Sequence, residues 1–180
     1  SVARGFEGAM LLVDIDHFKH VNDGHGHAAG DVVLCEVARR LTEAGRGDDL
    51  VVRWGGEEFL VLALKVPAEH AEALAERVLH LIAERPVLVQ GQAVHVTVSI
   101  GYAHFPLPPM VLPVAWEQAI NLADMALYTA KSQGRNRAVG IVAAQAEAAP
   151  ELRRIEADFD RAWHEGRVTL KVHAGPLVPA

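Results

Sequence analysis

A chain of 180 residues, 51% of them hydrophobic, is long enough to bury one full core and too short for two ordinary domains. Its formal net charge of −6 and pI near 5.9 disfavour a general nucleic-acid surface, so a polyphosphate ligand has to be held by local cations or a metal ion. One cysteine rules out a disulfide framework, no segment approaches bilayer-spanning length, and the N-terminus lacks signal-peptide design; the expectation is a soluble, cytoplasmic domain without direct membrane contact.

Residues 9–15 read A-M-L-L-V-D-I, a continuous apolar run of the kind found in a strand buried on both faces, and the run ends in Asp14 and Asp16. A side-chain period of two puts both aspartates on one side, with Ile15 turned away and its carbonyl near theirs, which makes half a site for a hard cation. Residues 17–31 then form a basic, amide-rich loop supplying Lys19, Asn22 and Asp31. Read singly, Asn22 is a turn residue and Asp31 a helix cap. Read together, an amide and a carboxylate match the donor and acceptor edge of guanine.

A helix over residues 31–41 is expected to bury Val33, Leu34, Val37 and Leu41, with Cys35 on the same apolar face. Arg46 and Asp49 follow, three apart, in the manner of an exposed ion pair. Residues 53–59 read R-W-G-G-E-E-F between the apolar runs 50–52 and 60–64. Gly55-Gly56 signals a tight hairpin turn using positive φ, with Glu57 and Glu58 at its tip. Asp14, the Ile15 carbonyl and Glu57 would then suffice for a magnesium ion, which takes one or two carboxylates plus phosphates and water.

Pro67 opens a second helix with the stripe Ala71, Leu74, Ala75, Val78, Leu79 and Ile82, stopped by Arg85-Pro86. A second hairpin is expected from residues 87–89, Gln90-Gly91 and 94–102, followed by a proline-rich loop over 106–113. A third helix over 116–132 turns Trp116, Ala119, Ile120, Ala123 and Leu127 inward and leaves Lys131, then Arg135, at its C-terminal end, where cations offset the helix dipole. Residues 143–150 read as an alanine-rich linker, 151–165 as a charged helix and 168–172 as a short strand. Four histidines, His17, His20, His25 and His27, crowd one loop without the spacing of a zinc motif. Interleaved helices and hairpins make this an α/β domain with a central, mainly antiparallel sheet flanked by helices.

The ordered motifs D-I-D-H-F-K-H-V-N-D, G-H-A-A-G-D, R-W-G-G-E-E-F, V-S-I-G and A-L-Y-T-A-K-S-Q-G-R-N resemble those of the GGDEF domain, the diguanylate cyclase family and its degenerate relatives. The resemblance covers roughly residues 9–139 and implies the palm-like nucleotidyl cyclase fold, with a domain over 1–141 and a C-terminal extension over 142–180. It implies that two GTP condense to cyclic di-GMP and pyrophosphate in a two-fold homodimer. Asp14, Glu57 and Glu58 would be catalytic. Asp14, Ile15 and Glu57 would hold Mg2+ or Mn2+. Substrate would meet Phe18, Lys19, Asn22, Asp31, Gly55, Gly56, Lys131 and Arg135. An R-x-x-D pair five residues before G-G implies inhibition by product through Arg46 and Asp49. The alternative is a catalytically weak domain that senses GTP or cyclic di-GMP. The D-x-L-T-G-L-x-N-R segment usual before the first strand is absent, Gly24 and His25 depart from the pattern near the base pocket, and Trp54 replaces the usual tyrosine or phenylalanine. An upstream sensory domain, membrane-anchored or not, is expected outside this chain.

Overall fold

The centre of the molecule is strand β1 (Gly8–Ile15), every residue of which is buried. The computed structural model describes residues 5–111 and 113–178; expectations touching residues 1–4, Leu112 and residues 179–180 lie outside the described residues. Side-chain alternation splits β1 between two cores. Ala9, Leu11, Val13 and Ile15 join the core under α1 (Phe18–His25), α2 (His27–Ala44) and α3 (Ala68–Glu84). Met10 and Leu12 join the core under α4 (Trp116–Ser132).

The main sheet has six strands in the order β2-β3-β1-β6-β7-β8, where β2 is Leu50–Arg53, β3 Glu58–Leu64, β6 Val98–Phe105, β7 Arg137–Ala144 and β8 Val168–Ala174. All neighbours pair antiparallel except β6 and β7, which are parallel and joined by the α4 crossover. The expected mainly antiparallel sheet with flanking helices is therefore the one observed. Gly101 explains the glycine of V-S-I-G: a Cβ there would stand 2.1 Å from the Ala123 carbonyl oxygen, so its absence lets α4 lie directly on β6.

Helix α3 buries the whole predicted stripe and ends at Glu84, one residue ahead of Arg85-Pro86. The buried Arg40 of α2 accounts for the join, donating to the carbonyls of Ile82 (3.1 Å), Arg85 (2.6 Å) and Pro86 (3.1 Å) at the negative end of α3.

Several local expectations are corrected. Residues 17–31 are not a loop: α1 and α2 occupy nearly all of them, because Phe18, Val21 and Ala29 are buried against the sheet and packing outweighs the poor propensity of His, Asn and Gly. Cys35 is exposed, since it lies one position round the helix from the buried Leu34. The second hairpin divides into a small sheet of β4 (Val87–Val89) and β5 (Gln92–Val94), while residues 98–105 form β6 of the main sheet. Trp116 is 39% exposed and covers the Phe6 ring with one face, at 4.7 Å between ring centroids.

In the C-terminal segment β7 runs to Ala144, through the expected boundary at 141. The single helix expected over 151–165 breaks at Asp158 into α5 (Ala149–Ala157) and α6 (Phe159–His164), with the Asp158 side chain accepting from the Arg161 N–H. Leu152, Ile155, Phe159, Ala162 and Val168 complete the α4-side core, and β8 closes the sheet edge against β7.

Candidate active site

At the end of β1, Asp14 stands directly opposite Glu58, the first residue of β3. Directly opposed residues of an antiparallel pair point to the same face, here the α4 face. Asp14 is 8% exposed and receives a hydrogen bond from Lys131 Nζ at 3.0 Å, delivered from the last turn of α4. Burial raises the Asp14 carboxyl above the ordinary carboxylate range, opposed by Lys131 and reinforced by the negative charge of Asp16. Burial also raises Glu58, with Asp14 and then Asp124 adding repulsion and Lys131 opposing it. Two partly desolvated carboxylates face one lysine, and such a donor set fits a hard divalent cation, whose charge removes the repulsion that raises both groups.

The tip that carries Glu57 has a different construction from the expected one. Neither Gly55 nor Gly56 takes a left-handed φ. Instead, residues 54–57 loop over the Glu58 carbonyl, which accepts from both Trp54 N–H (2.8 Å) and Gly55 N–H (3.1 Å). Arg53 clamps the loop by donating to the carbonyls of Gly56 (2.7 Å) and Gly55 (3.3 Å). A Cβ on Gly56 would meet nothing within 4 Å, so the protein's own packing does not call for glycine there. The open space suits close approach of a ligand to backbone. Glu57 is tied in by its backbone, its carbonyl accepting from Ile15 N–H at 3.2 Å. The carboxylate set against Asp14 across the strands is Glu58, and Glu57 stands one residue further along the tip.

Asp16, which the sequence groups with Asp14, does another job. It is 5% exposed, and its carboxylate accepts from Thr97 Oγ1 (2.6 Å), Ser99 Oγ (2.6 Å) and the Asn136 N–H (2.9 Å). This fixes the start of β6 and the turn after α4, where Gly134, Arg135 and Asn136 take positive φ of 122°, 63° and 45°. The turn thereby returns Arg135, which is exposed and whose charge acts on Asp14. The serine of V-S-I-G was the available signal: a hydroxyl on a strand buried on both faces requires a polar partner.

The other expected ligand groups lie beyond the same end of β1. Phe18 is buried and Lys19 exposed at the start of α1. Asn22 leans on α2 at Gly30, where a Cβ would fall 1.9 Å from Asn22 Oδ1, and Asp31 is the next residue of α2, exposed. Asp31 is inside α2, four residues past its first residue, and so does not cap it. The Arg46 and Asp49 pair sits apart, in the turn between α2 and β2. Arg46 is exposed, whereas the Asp49 carboxylate turns inward to accept from Arg46 N–H at 2.8 Å, with Gly45 leaving room and His70 Nε2 at 3.9 Å.

The sequence did not single out Asp124, which adds charge beside Glu58, nor the groove of about 1280 Å³ that Trp54 and Glu58 border between α4 and α5.

Comparison with known proteins shows the family and the fold. The family profile described as "Diguanylate cyclase, GGDEF domain" matches residues 2–137. Diguanylate cyclase A of Treponema denticola is 41% identical over 129 residues, covering 72% of this chain and 34% of that protein. The diguanylate cyclase SiaD of Pseudomonas aeruginosa, solved in complex with its activator SiaC, superposes with a TM-score of 0.66 at 38% identity, covering 73% of this chain and 49% of that one. The GGDEF domain of DgcB from Caulobacter crescentus, solved in complex with c-di-GMP, gives a TM-score of 0.65 at 30% identity, covering 73% and 76%. The chain spans about a third of the length of the curated relatives it matches. With the sheet order, the paired acids of β1 and β3 and the family profile in agreement, the chain belongs to the diguanylate cyclase GGDEF domain family.

Proposed function

We propose that this domain condenses two GTP into cyclic di-GMP and pyrophosphate, as one half of a two-fold pair in which each protomer presents one nucleotide. The observation that carries the reading is the Asp14 and Glu58 pair, opposed across β1 and β3 and partly desolvated, with Lys131 3.0 Å from Asp14. Asp14, the Ile15 carbonyl and Glu57 are assigned to a magnesium or manganese ion, with Glu58 shaping the site from across the strands. Bound there, the ion would draw charge from the α-phosphate under attack.

The remaining roles belong to side chains and backbone of the chain. Asn22 and Asp31 read the guanine edge, the amide meeting acceptors and the carboxylate meeting N–H donors. Lys19, Arg135 and the backbone at Phe18 neutralise and orient the triphosphate, and Lys131 bridges the phosphates and Asp14. Gly55 and Gly56 let the nucleotide pass close to the loop. Glu57 receives the proton of the attacking 3′-hydroxyl, which leaves the oxygen free to form the new ester bond as pyrophosphate departs.

Arg46, exposed on its turn, offers a guanidinium fork to the product, and Asp49 holds that turn in shape while supplying an acceptor; we assign them to inhibition by cyclic di-GMP. The relative solved with c-di-GMP bound supports the choice of ligand. The relatives' extra length fits an upstream sensory region, and GTP chemistry fits a cytoplasmic setting.

Incubating the purified domain with GTP and magnesium and identifying products by mass tests the reading. Cyclic di-GMP with pyrophosphate is expected, and Asp14→Ala or Glu57→Ala should abolish both. GTP binding without pyrophosphate release would reassign the domain to nucleotide sensing. With product added, Arg46→Ala should keep turning over where the parent stops, and equal inhibition of the two would remove the inhibitory assignment.

A further inference from the structure

On the other side of the sheet, α3 and β8 bring together a second set of metal-ligating side chains. Glu72 and Glu76 are one turn apart on α3 and so share a face. His173 of β8 stands against both, with Nδ1 2.9 Å from Glu76 Oε1 and Nε2 3.8 Å from Glu72 Oε1. One ligand atom from each lies within 4.8 Å of the others, the one such grouping of three His, Cys, Asp or Glu side chains among the described residues. The imidazole is only 10% exposed, and its Nε2 meets the buried Tyr102 hydroxyl at 2.7 Å. Lys171, two residues before His173, reaches Glu72 from the solvent side.

We propose that Glu72, Glu76 and His173 bind a borderline divalent cation, zinc being the best fit, which fastens β8 to α3.

The donor chemistry separates this site from the magnesium site. One imidazole and two carboxylates suit zinc, while magnesium takes oxygen ligands. A tetrahedral zinc ion sets its donors roughly 3.4 Å apart, given bonds of about 2.1 Å. Glu72 and Glu76 are 34% and 51% exposed, so side-chain rotation closes the remaining gap without moving either backbone. Tyr102 supplies the support that ligating histidines generally have, a partner for the second ring nitrogen. Its hydroxyl serves both states. Without metal it donates to Nε2 while Nδ1–H faces Glu76; with Nδ1 on the metal it accepts from Nε2–H, so the neutral ring changes tautomer, Nδ1 giving up a proton and Nε2 taking one as the hydroxyl rotates, with no net proton released. Lys171 is the competitor, holding Glu72 until a stronger cation arrives. His173 lies about one hundred residues after Glu72 and Glu76 in sequence and meets them only in the folded chain, so binding raises the stability of that fold.

The test is calorimetric titration of the chelator-treated chain with zinc, in excess magnesium so that the oxygen site near Asp14 is filled, paired with thermal unfolding. One equivalent of zinc should bind and raise the unfolding temperature. His173→Gln and Glu76→Gln should each weaken binding by more than tenfold and remove that rise. Tyr102→Phe should weaken it roughly tenfold, as losing a ligand's support does. Lys171→Met should tighten it, a change that a purely structural histidine would not produce. No uptake by the parent, or equal affinity in His173→Gln and Glu76→Gln, overturns the proposal. Should those variants fail to fold, affinity unmoved by both Tyr102→Phe and Lys171→Met overturns it as well.

Discussion

Asp14 and Asp16 are two residues apart and of one residue type, yet the structure gives them opposite energetic roles, and substitution should separate them. Asp16→Ala deletes three hydrogen bonds to a buried carboxylate and strands Thr97, Ser99 and the Asn136 N–H, with Ser99 itself fully buried. Hydrogen bonds to charged groups contribute about 1.5–3 kcal/mol each; taken at the lower end to allow for some water entry, the loss is about 4–6 kcal/mol. For a domain of this size each kcal/mol moves the unfolding midpoint by roughly 2–4 °C, so a fall of roughly 10–20 °C is expected. Asp14→Asn keeps an acceptor for Lys131 and removes a charge that burial disfavours, so its midpoint should stay within about 2 °C of the parent or rise, while GTP turnover is lost. Calorimetric melting of the two variants with one turnover assay decides the matter. A midpoint for Asp16→Ala within about 3 °C of the parent, or a larger drop for Asp14→Asn than for Asp16→Ala, would refute the division of labour.

The same carboxylates predict a pH dependence. Asp14 and Glu58 are raised above 3.8 and 4.5 in the folded state, so their contribution to stability is full below those values and is lost as pH rises through the higher folded ones. The parent should therefore lose midpoint relative to Asp14→Asn on going from about pH 4 to neutrality in chelator, and magnesium should restore more at neutral than at acid pH; a constant difference would count against it. Gly101→Val should cost at least as much as ordinary overpacking, about 1–3 kcal/mol, because its Cβ meets the backbone of α4 and not a flexible side chain. Since α4 carries Lys131, cyclase activity should fall with it, and an unchanged melting curve would contradict the close packing of β6 and α4. Gly56→Ala has open space in the structure, so melting should be unaffected while the KM for GTP rises; a KM equal to the parent's would show that the ligand does not approach this backbone.

Local pattern determined much of this protein. The apolar run that ends at Asp14, the stripe of α3 and the bounds of α4 follow from side-chain periodicity and from Pro67 and Pro86, because period and stop signals are written within one element. The grouping of Asp14, Glu57, Glu58 and Lys131 came from the resemblance of the ordered motifs to the GGDEF domain, since no local period links residues on β1, the β3 tip and α4. Tertiary structure decided what those residues face. Thr97, Ser99 and Asn136 reach Asp16 from 81, 83 and 120 positions away, so no local spacing announces the cradle. That Glu58 is the residue set against Asp14 depends on the register of β1 with β3, and strand register is fixed by burial on both faces and not by the turn sequence. The helical state of residues 18–31 likewise comes from Phe18, Val21 and Ala29 finding the core, a gain in burial that outweighs the weak propensity of their neighbours and is visible only once the sheet exists.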